Sequence, residues 1–562
     1  MKTLLSTALA ISYVSLTAAQ NSTILNPMLP GFYPDPSCIY VPEQNKTYFC
    51  ASSTFLTFPG IPITASKDLQ SWTLISHAFS RPEQLPEFAA PNIPTGGLWA
   101  PTLRYKDGVF YMVTTHVYGD APEEDTSRWV NFILTTTDPY CSRCWSDPVY
   151  FTADGYDPSL FWDDDGQVYV TWAPYWRIDP GIAQATINLE TGEVGPRKVV
   201  WGGSGNRVPE GPHTYKKDGW YYLLIAEGGT GEGHSVTIGR SKSINGPYES
   251  NPANPVLTNA NTTEYFQAVG HADLFQDERG RWWGVALSRR TDRATKASPM
   301  GRESVLYPVT WEGEWPVLQP VRGEISSWEF PGDGGEIPGL LVDASEDVDF
   351  SEVEEVPGNF VSYGVSADGS VQLKSDGEKR GLCLVAPVTS LPVPAGNATA
   401  QNVTRLLRRQ SHSLFTYSVD VDFAPTKPGQ EAGVTMFIDP DNHLDLGIVS
   451  LSGNVSTPYL RFQGQSDSDT PEKALVELPV EWRDGSIRLE IKAFNASHVS
   501  FSAGPTKYES RIKTIAVAPV TLLQPQFTGT AVGVYVTANV SRSSTEACFT
   551  TWKYQGDGQF RS

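Results

Sequence analysis

Several things are scarce in this chain. Beyond its first twenty residues no stretch approaches the apolar length that a membrane span needs. Basic residues are outnumbered, 42 Lys and Arg against 63 Asp and Glu, and the formal net charge is −21. Nucleic acid and anionic membrane both call for a basic surface, so neither is an expected partner. A neutral sugar is untouched by that argument. Helical periodicity of the apolar residues is weak throughout, which points to an all-β chain.

What is present begins with length. At 562 residues the chain exceeds one ordinary core, and two domains are expected. "MKTLLSTALAISYVSLTAAQ" has a basic residue, an apolar run and small residues, the pattern of a cleaved export signal over residues 1–19. Sequons at Asn21, Asn45, Asn261, Asn397, Asn402, Asn454, Asn495 and Asn539 agree with a secreted, extracellular glycoprotein. The 6 cysteines are an even count that suits an oxidising compartment. The pairings Cys38–Cys50, Cys141–Cys144 and Cys383–Cys548 are favoured because each stays inside one proposed domain. The 16 Trp, 24 Tyr and 24 Phe suit stacking on sugar faces, and equally the core of an all-β fold.

An internal repeat organises the first 330 residues. Segments starting at Asp35, Ala100, Asp157, Glu210 and His271 share a plan: a small or acidic residue beside Pro or Gly, an apolar pair, a polar turn, then an aromatic-rich strand. The starts recur every 53 to 65 residues, close to the length of a propeller blade. Turns are expected at Asn45, Asp107-Gly108, Asp165-Gly166, Asp218-Gly219 and Arg279-Gly280, since Asp and Gly tolerate the positive backbone angles of a tight hairpin. Residues 20–330 therefore read as a five-bladed β-propeller. Radial arrangement would bring Asp35, Asp157, Glu210 and His271 to one funnel. Asp35 lies between Pro34 and Pro36, which predicts an extended, rigidly aimed side chain.

Three carboxylates in a sugar-sized funnel suit glycoside hydrolysis. One activates or replaces water, one protonated carboxyl donates to the leaving oxygen, and a third raises the donor's pKa. Plainer roles compete at each position: Asp157 could start a strand, Glu210 could sit in a surface turn, and His271 could be a packed core histidine. "DDDG" at 163–166 lacks the spacing and the closing Glu of a calcium loop and reads as a hairpin turn.

These residues also resemble glycoside hydrolase family 43. The likeness spans roughly residues 25–330 and rests on "NPMLPGFYPDPS", "FPGIPITASKDLQSW", "GGLWAPTLRY", "YDPSLFWDDDG", "PEGPH" and "GHADLF", in that order. The resemblance implies a five-bladed propeller and an inverting single displacement, with Asp35 as general base, Glu210 as general acid and Asp157 as the residue that tunes the acid. His271 resembles the family's axial histidine, near a bound water or a structural calcium ion; no cofactor is otherwise required. Phe32, Phe58 and Trp99 flank motifs expected at the funnel mouth. Arg289, or its neighbour Arg290, resembles the family's arginine that clamps a substrate hydroxyl.

From residue 331 to 562 the blade pattern stops. Runs such as "YSVDVDF", "HLDLGIV", "SIRLEIKAF" and "TAVGVYVTA" alternate as strands with one buried face and predict a β-sandwich. It resembles the concanavalin-like domain attached to many β-xylosidases of the same family. Its short connection favours a brace, with a loop closing one side of the funnel, over a separate sugar-binding module.

The expected activity is β-xylosidase on xylooligosaccharides, with α-L-arabinofuranosidase on arabinoxylan as the near alternative. An endo-arabinanase would find its groove obstructed by the second domain. A non-catalytic sugar-binding propeller has no reason to keep base, acid and tuner together. Invertase-like propellers carry "NDPNG" and a Glu-Cys pair, and neither occurs here. Oligomeric state is open.

Overall fold

The computed structural model describes residues 22–89, 93–331, 335–374, 381–387, 403–451, 457–538 and 545–562. The expected export signal and five sequons, at Asn21, Asn397, Asn402, Asn454 and Asn539, lie outside them; Asn45, Asn261 and Asn495 are exposed. The described residues form β-strands and short 3-10 turns, with no α-helix among them. The architecture is a five-bladed β-propeller followed by a β-sandwich. All three favoured disulfides are present.

Five antiparallel sheets make the propeller. Their first strands are Ser37–Val41, Gly97–Lys106, Gly155–Trp162, Glu210–Lys217 and Phe266–Gln276. These strands touch one another in a closed cycle and so line the axis. The hairpin turns fall where the sequence predicts them, with positive φ at Asn45, Lys46, Asp107, Gly108, Gly166, Asp218, Gly219 and Gly280. Asp163–Gln167 closes the turn of "DDDG" by a backbone hydrogen bond.

One device repeats around the axis. Asp35, Ala100, Asp157, Gly211 and His271 all have φ between 23° and 58°. In four blades the ladder register slips across that residue, between Trp99 and Thr102, Tyr156 and Ser159, Glu210 and His213, and Gly270 and Asp273. Four of the five precede a proline. This corrects the extended backbone expected for Asp35. A β-bulge residue goes left-handed, a conformation that Asp and Gly adopt readily, and the bulge rather than the flanking prolines re-aims the side chain. In the fourth blade the left-handed residue is Gly211, so Glu210 stands one position ahead of the other bulge residues.

Two sheets of eight and six strands form the sandwich. Their shared core holds Trp552, Tyr417, Leu446 and Val534, all fully buried. The two domains are sewn together. Leu340–Leu341 adds an edge to the first blade, and Ser362–Tyr363 pairs with Thr57–Phe58. The Arg290 guanidinium binds Glu303 through Nε (2.7 Å) and Nη2 (2.8 Å). Its Nη1 donates to Ser413 Oγ, Gln559 Oε1 and Phe560 O. At Gly31 a side chain would meet the Gln410 carbonyl at 2.0 Å, so only glycine fits this contact.

Candidate active site

The bulges deliver Asp35, Asp157, Glu210 and His271 to one buried cluster. Ser53 Oγ donates to Asp35 Oδ2 at 2.6 Å, and Asp35 Oδ1 faces Arg302 Nη1 at 3.8 Å and His271 Nδ1 at 3.5 Å. Asp157 Oδ2 accepts the Gly211 N–H at 3.0 Å and lies 4.0 Å from His271 Nδ1. The Tyr156 hydroxyl is 3.5 Å from Glu210 Oε2, and His234 Nε2 is 3.9 Å from Glu210 Oε1. Gly211 can take no side chain, because a Cβ there would press into the His271 ring at 2.9 Å.

The electrostatics separate the carboxyls. Burial pushes Glu210 up to about 7, with Arg302 opposing and Asp35 adding to the rise. Burial, then the charges of Glu210 and Asp35, raise Asp157 well above the usual carboxylate range. Burial lowers His271, against the pull of Asp35, and a neutral ring results. A protonated carboxyl beside a second carboxylate is what proton donation to a leaving group requires.

A polar layer lies directly beneath. Asp273, two residues past His271, accepts hydrogen bonds from Ser37 Oγ (2.7 Å), Arg104 Nη1 (2.8 Å) and the Tyr215 hydroxyl (2.7 Å). Three other blades are thereby fastened to the fifth. Burial would raise Asp273, but Arg104 holds it well below the usual range.

The donor set around His271 does not fit calcium. That ion takes roughly six to eight oxygen ligands, whereas this site offers one ring nitrogen and single oxygens from two aspartates, with the Arg302 guanidinium against one of them. Among the described residues the two tighter groups of potential ligands each contain a disulfide-bonded cysteine pair, whose sulfurs are not thiolates.

The aromatic residues divide. Trp99 meets Tyr156 at 5.6 Å and anchors its indole N–H on the Thr95 carbonyl at 2.9 Å. Phe32 stacks behind Phe55 at 6.2 Å. Phe58 is not brought to the carboxylates. Its ring packs on Phe79 (5.4 Å) and Phe88 (6.5 Å) inside the first blade. Phe55, three residues earlier, occupies the place expected for it and meets Trp99 at 6.2 Å. Its backbone is left-handed, with φ of 52°.

Arg289 lies near Arg302, whose charge together with burial lowers it to about 9. Arg290 belongs to the domain seam instead. Three further residues escaped the sequence reading: Arg302, His234 and Phe527. Phe527 comes from the sandwich, stacks on Trp99 at 6.2 Å and lies under the Arg302 guanidinium at 4.5 Å. No motif marks any of the three.

The loop leading to Glu210 is strained and held. Arg207 and Val208 have φ of 67° and 50°, the second an outlier for a β-branched residue. Glu227, buried, accepts from Ser204 N (3.1 Å), Ser204 Oγ (2.6 Å), Asn206 N (3.2 Å) and Thr237 Oγ1 (2.6 Å). The first three bonds fix the loop that enters the strand of Glu210, and Thr237 holds the carboxylate in place.

A family model for glycosyl hydrolases family 43 matches residues 24–316. The chain belongs to this family. A second model, the beta xylosidase C-terminal concanavalin A-like domain, matches residues 395–555. The non-reducing end alpha-L-arabinofuranosidase BoGH43B of Bacteroides ovatus is 33% identical over 542 residues, covering 94% of each chain. A xylosidase/arabinosidase of Butyrivibrio fibrisolvens is 35% identical over 75% of this chain and 79% of its own. Among solved structures, a xylan beta-1,4-xylosidase from Bacillus halodurans C-125 superposes with a TM-score of 0.83 at 27% identity, covering 95% of this chain and 100% of that one. This family 43 protein is an O-glycoside hydrolase of the xylosidase/arabinofuranosidase group.

Proposed function

We propose that the protein is a secreted, exo-acting β-xylosidase that releases single xylose units from xylooligosaccharides with inversion. The observation that carries this reading is the convergence of Asp35, Asp157 and Glu210, with Glu210 raised to about 7. Asp35 takes the proton of an attacking water as general base. Glu210 donates its proton to the leaving oxygen as general acid, while Asp157 tunes and orients it. Arg302 and Arg289 face substrate hydroxyls, and Trp99, Phe55 and Phe527 wall the sugar. His271 stands between the two aspartates, its Nδ1 3.5 Å from Asp35 and 4.0 Å from Asp157. Two carboxyls carry both proton transfers, so the reaction needs no cofactor.

Closure of the funnel by Phe527 supports action at chain ends, since an internal stretch of polymer could not pass that wall. The signal pattern and three disulfides support secretion. A second reading, α-L-arabinofuranosidase on arabinoxylan, is favoured by the Bacteroides ovatus relative that spans 94% of this chain. Initial rates on p-nitrophenyl β-D-xylopyranoside and α-L-arabinofuranoside, with Asp35→Ala alongside, test both. A rate on the xyloside that disappears in the variant upholds the first reading, and a higher rate on the arabinofuranoside replaces it with the second. Turnover of neither, nor of xylooligosaccharides or arabinoxylan, would leave a non-catalytic sugar-binding propeller.

A further inference from the structure

The six-stranded sheet of the sandwich ends in the strand Ala474–Glu477, and no described strand pairs with its outer side. This edge exposes apolar side chains: Leu475 is 52% exposed, Val476 43% and Val480, just beyond it, 67%. We propose that the edge is an interface between two copies of the chain, joined antiparallel about a two-fold axis through Leu475 so that their sheets continue into one another. The proposal is independent of the hydrolase reading above.

The direction of the backbone groups is the first argument. The Leu478 N–H donates to the Pro458 carbonyl at 3.0 Å, and the ladder runs on with Val476 opposite Leu460 and Ala474 opposite Phe462. In an antiparallel ladder alternate residues turn their N–H and C=O to opposite sides. The groups of Leu475 and Glu477 therefore point away from the sheet, and no described residue bonds to them. A free row of this kind is a template for another strand. A second copy laid antiparallel, Leu475 opposite Leu475, meets these groups with its own.

Side-chain complementarity selects the partner. Leu475 lies across from Arg461, on the face turned away from the shared core, whereas Leu460 and Phe462, opposite Val476 and Ala474, belong to that core. Alternation puts Lys473 and Glu477 on the same face as Leu475. About the two-fold, Lys473 then stands across from Glu477 of the partner subunit, and the pair occurs twice, flanking a Leu475–Leu475 contact. A slip of two residues either way sets Lys473 or Glu477 against Leu475 and loses both pairs. Lys473 is exposed and forms no ion pair among the described residues, while Glu477 gives only Oε1 to Arg483 Nη2, at 2.9 Å. A lysine on an edge ordinarily deters pairing, but this strand carries its own counter-charge. Pro471 and Pro479 cannot donate to a ladder and so bound the paired stretch. Val517, 50% exposed on the adjoining edge strand Lys513–Pro519, widens the apolar surface.

Sedimentation velocity of the intact chain over a range of concentrations tests the interface. The wild type is expected to associate to a dimer. Lys473→Glu alone, which sets Glu against Glu twice, should raise the dimer dissociation constant about tenfold or more, and Glu477→Lys alone should do the same. An equimolar mixture of the two variants should recover the dimer, because each copy then meets its opposite charge. Both side chains are exposed, and equal melting temperatures certify the fold. Leu475→Pro removes only an outward N–H, leaves the chain's own ladder intact and should abolish association. A wild type that stays monomeric at every concentration overturns the interface, as does a dimer that all three variants leave unchanged. Dimers weakened by the single reversals but not recovered on mixing overturn the two-fold through Leu475.

Discussion

The backbone N–H of Gly211 donates to Asp157 Oδ2 at 3.0 Å, so the residue following Glu210 is bonded to the carboxyl of the neighbouring blade. Glu210, the proposed acid, and Asp157, its proposed tuner, are thereby held in register by main chain rather than by two free side chains. Several expectations about catalysis depend on that arrangement.

Glu210→Gln keeps shape and removes the proton. Its kcat on xylobiose is expected to fall on the order of 10²- to 10⁴-fold, the usual contribution of general acid catalysis. An aryl glycoside with a good leaving group needs little proton donation and loses far less. Equal losses on both substrates would remove Glu210 from the acid's role.

The pH dependence follows from the same carboxyl. In the proposed mechanism activity requires protonated Glu210, so kcat/KM is expected to decline as pH rises through about 7. Arg302 pulls Glu210 down, so Arg302→Met should move that limb to higher pH while kcat/KM drops on the order of a hundredfold. Stability is linked too. The folded value lies above the ordinary one, so this contribution is complete at acid pH below the ordinary glutamate range and is lost as pH rises toward 7. Melting scans of Glu210→Gln should show a flatter profile across that window.

Glu227→Ala leaves Ser204 and Asn206 without their acceptor. A stability loss of about 1–3 kcal/mol is expected from the orphaned donors. Because the freed loop enters the strand of Glu210, kcat on xylobiose should fall more than kcat on an aryl xyloside. A purely structural role would lower both alike, and paired melting and rate measurements separate the cases.

Arg290→Met strands Glu303, which is fully buried. Removing one partner of a buried ion pair costs about 3–5 kcal/mol. Urea unfolding of the intact chain should register that loss, and it should exceed the loss for Arg289→Met, since the Arg289 Nε is buried without a hydrogen-bond partner among the described residues.

Much of the fold was legible because each blade advertises itself locally. Asp-Gly turns and proline-flanked starts are short-range signals, and they place Asp35, Asp157 and Glu210 without tertiary information. What failed was anything set by backbone sign or by distant contact. Phe58 flanks a motif expected at the funnel mouth, yet it is Phe55, in left-handed backbone, that meets Trp99. The prolines on either side of Asp35 predict extended backbone, and the bulge makes it left-handed instead. Arg302 stands just ahead of Glu303–Glu312, the third strand of the fifth blade, in "GRES", and nothing in those four residues marks a charge aimed at Asp35. Phe527 reaches Trp99 only because two domains pack.

The seam also imposes an order on biosynthesis. Glu210 and its neighbours leave the ribosome long before Phe527, and Arg290 waits for Gln559 and Phe560 to satisfy its guanidinium. A nascent propeller therefore carries its carboxyls without its last wall and with a charged seam still open. In the proposed mechanism the sugar site is therefore complete only after the sandwich has packed against the propeller.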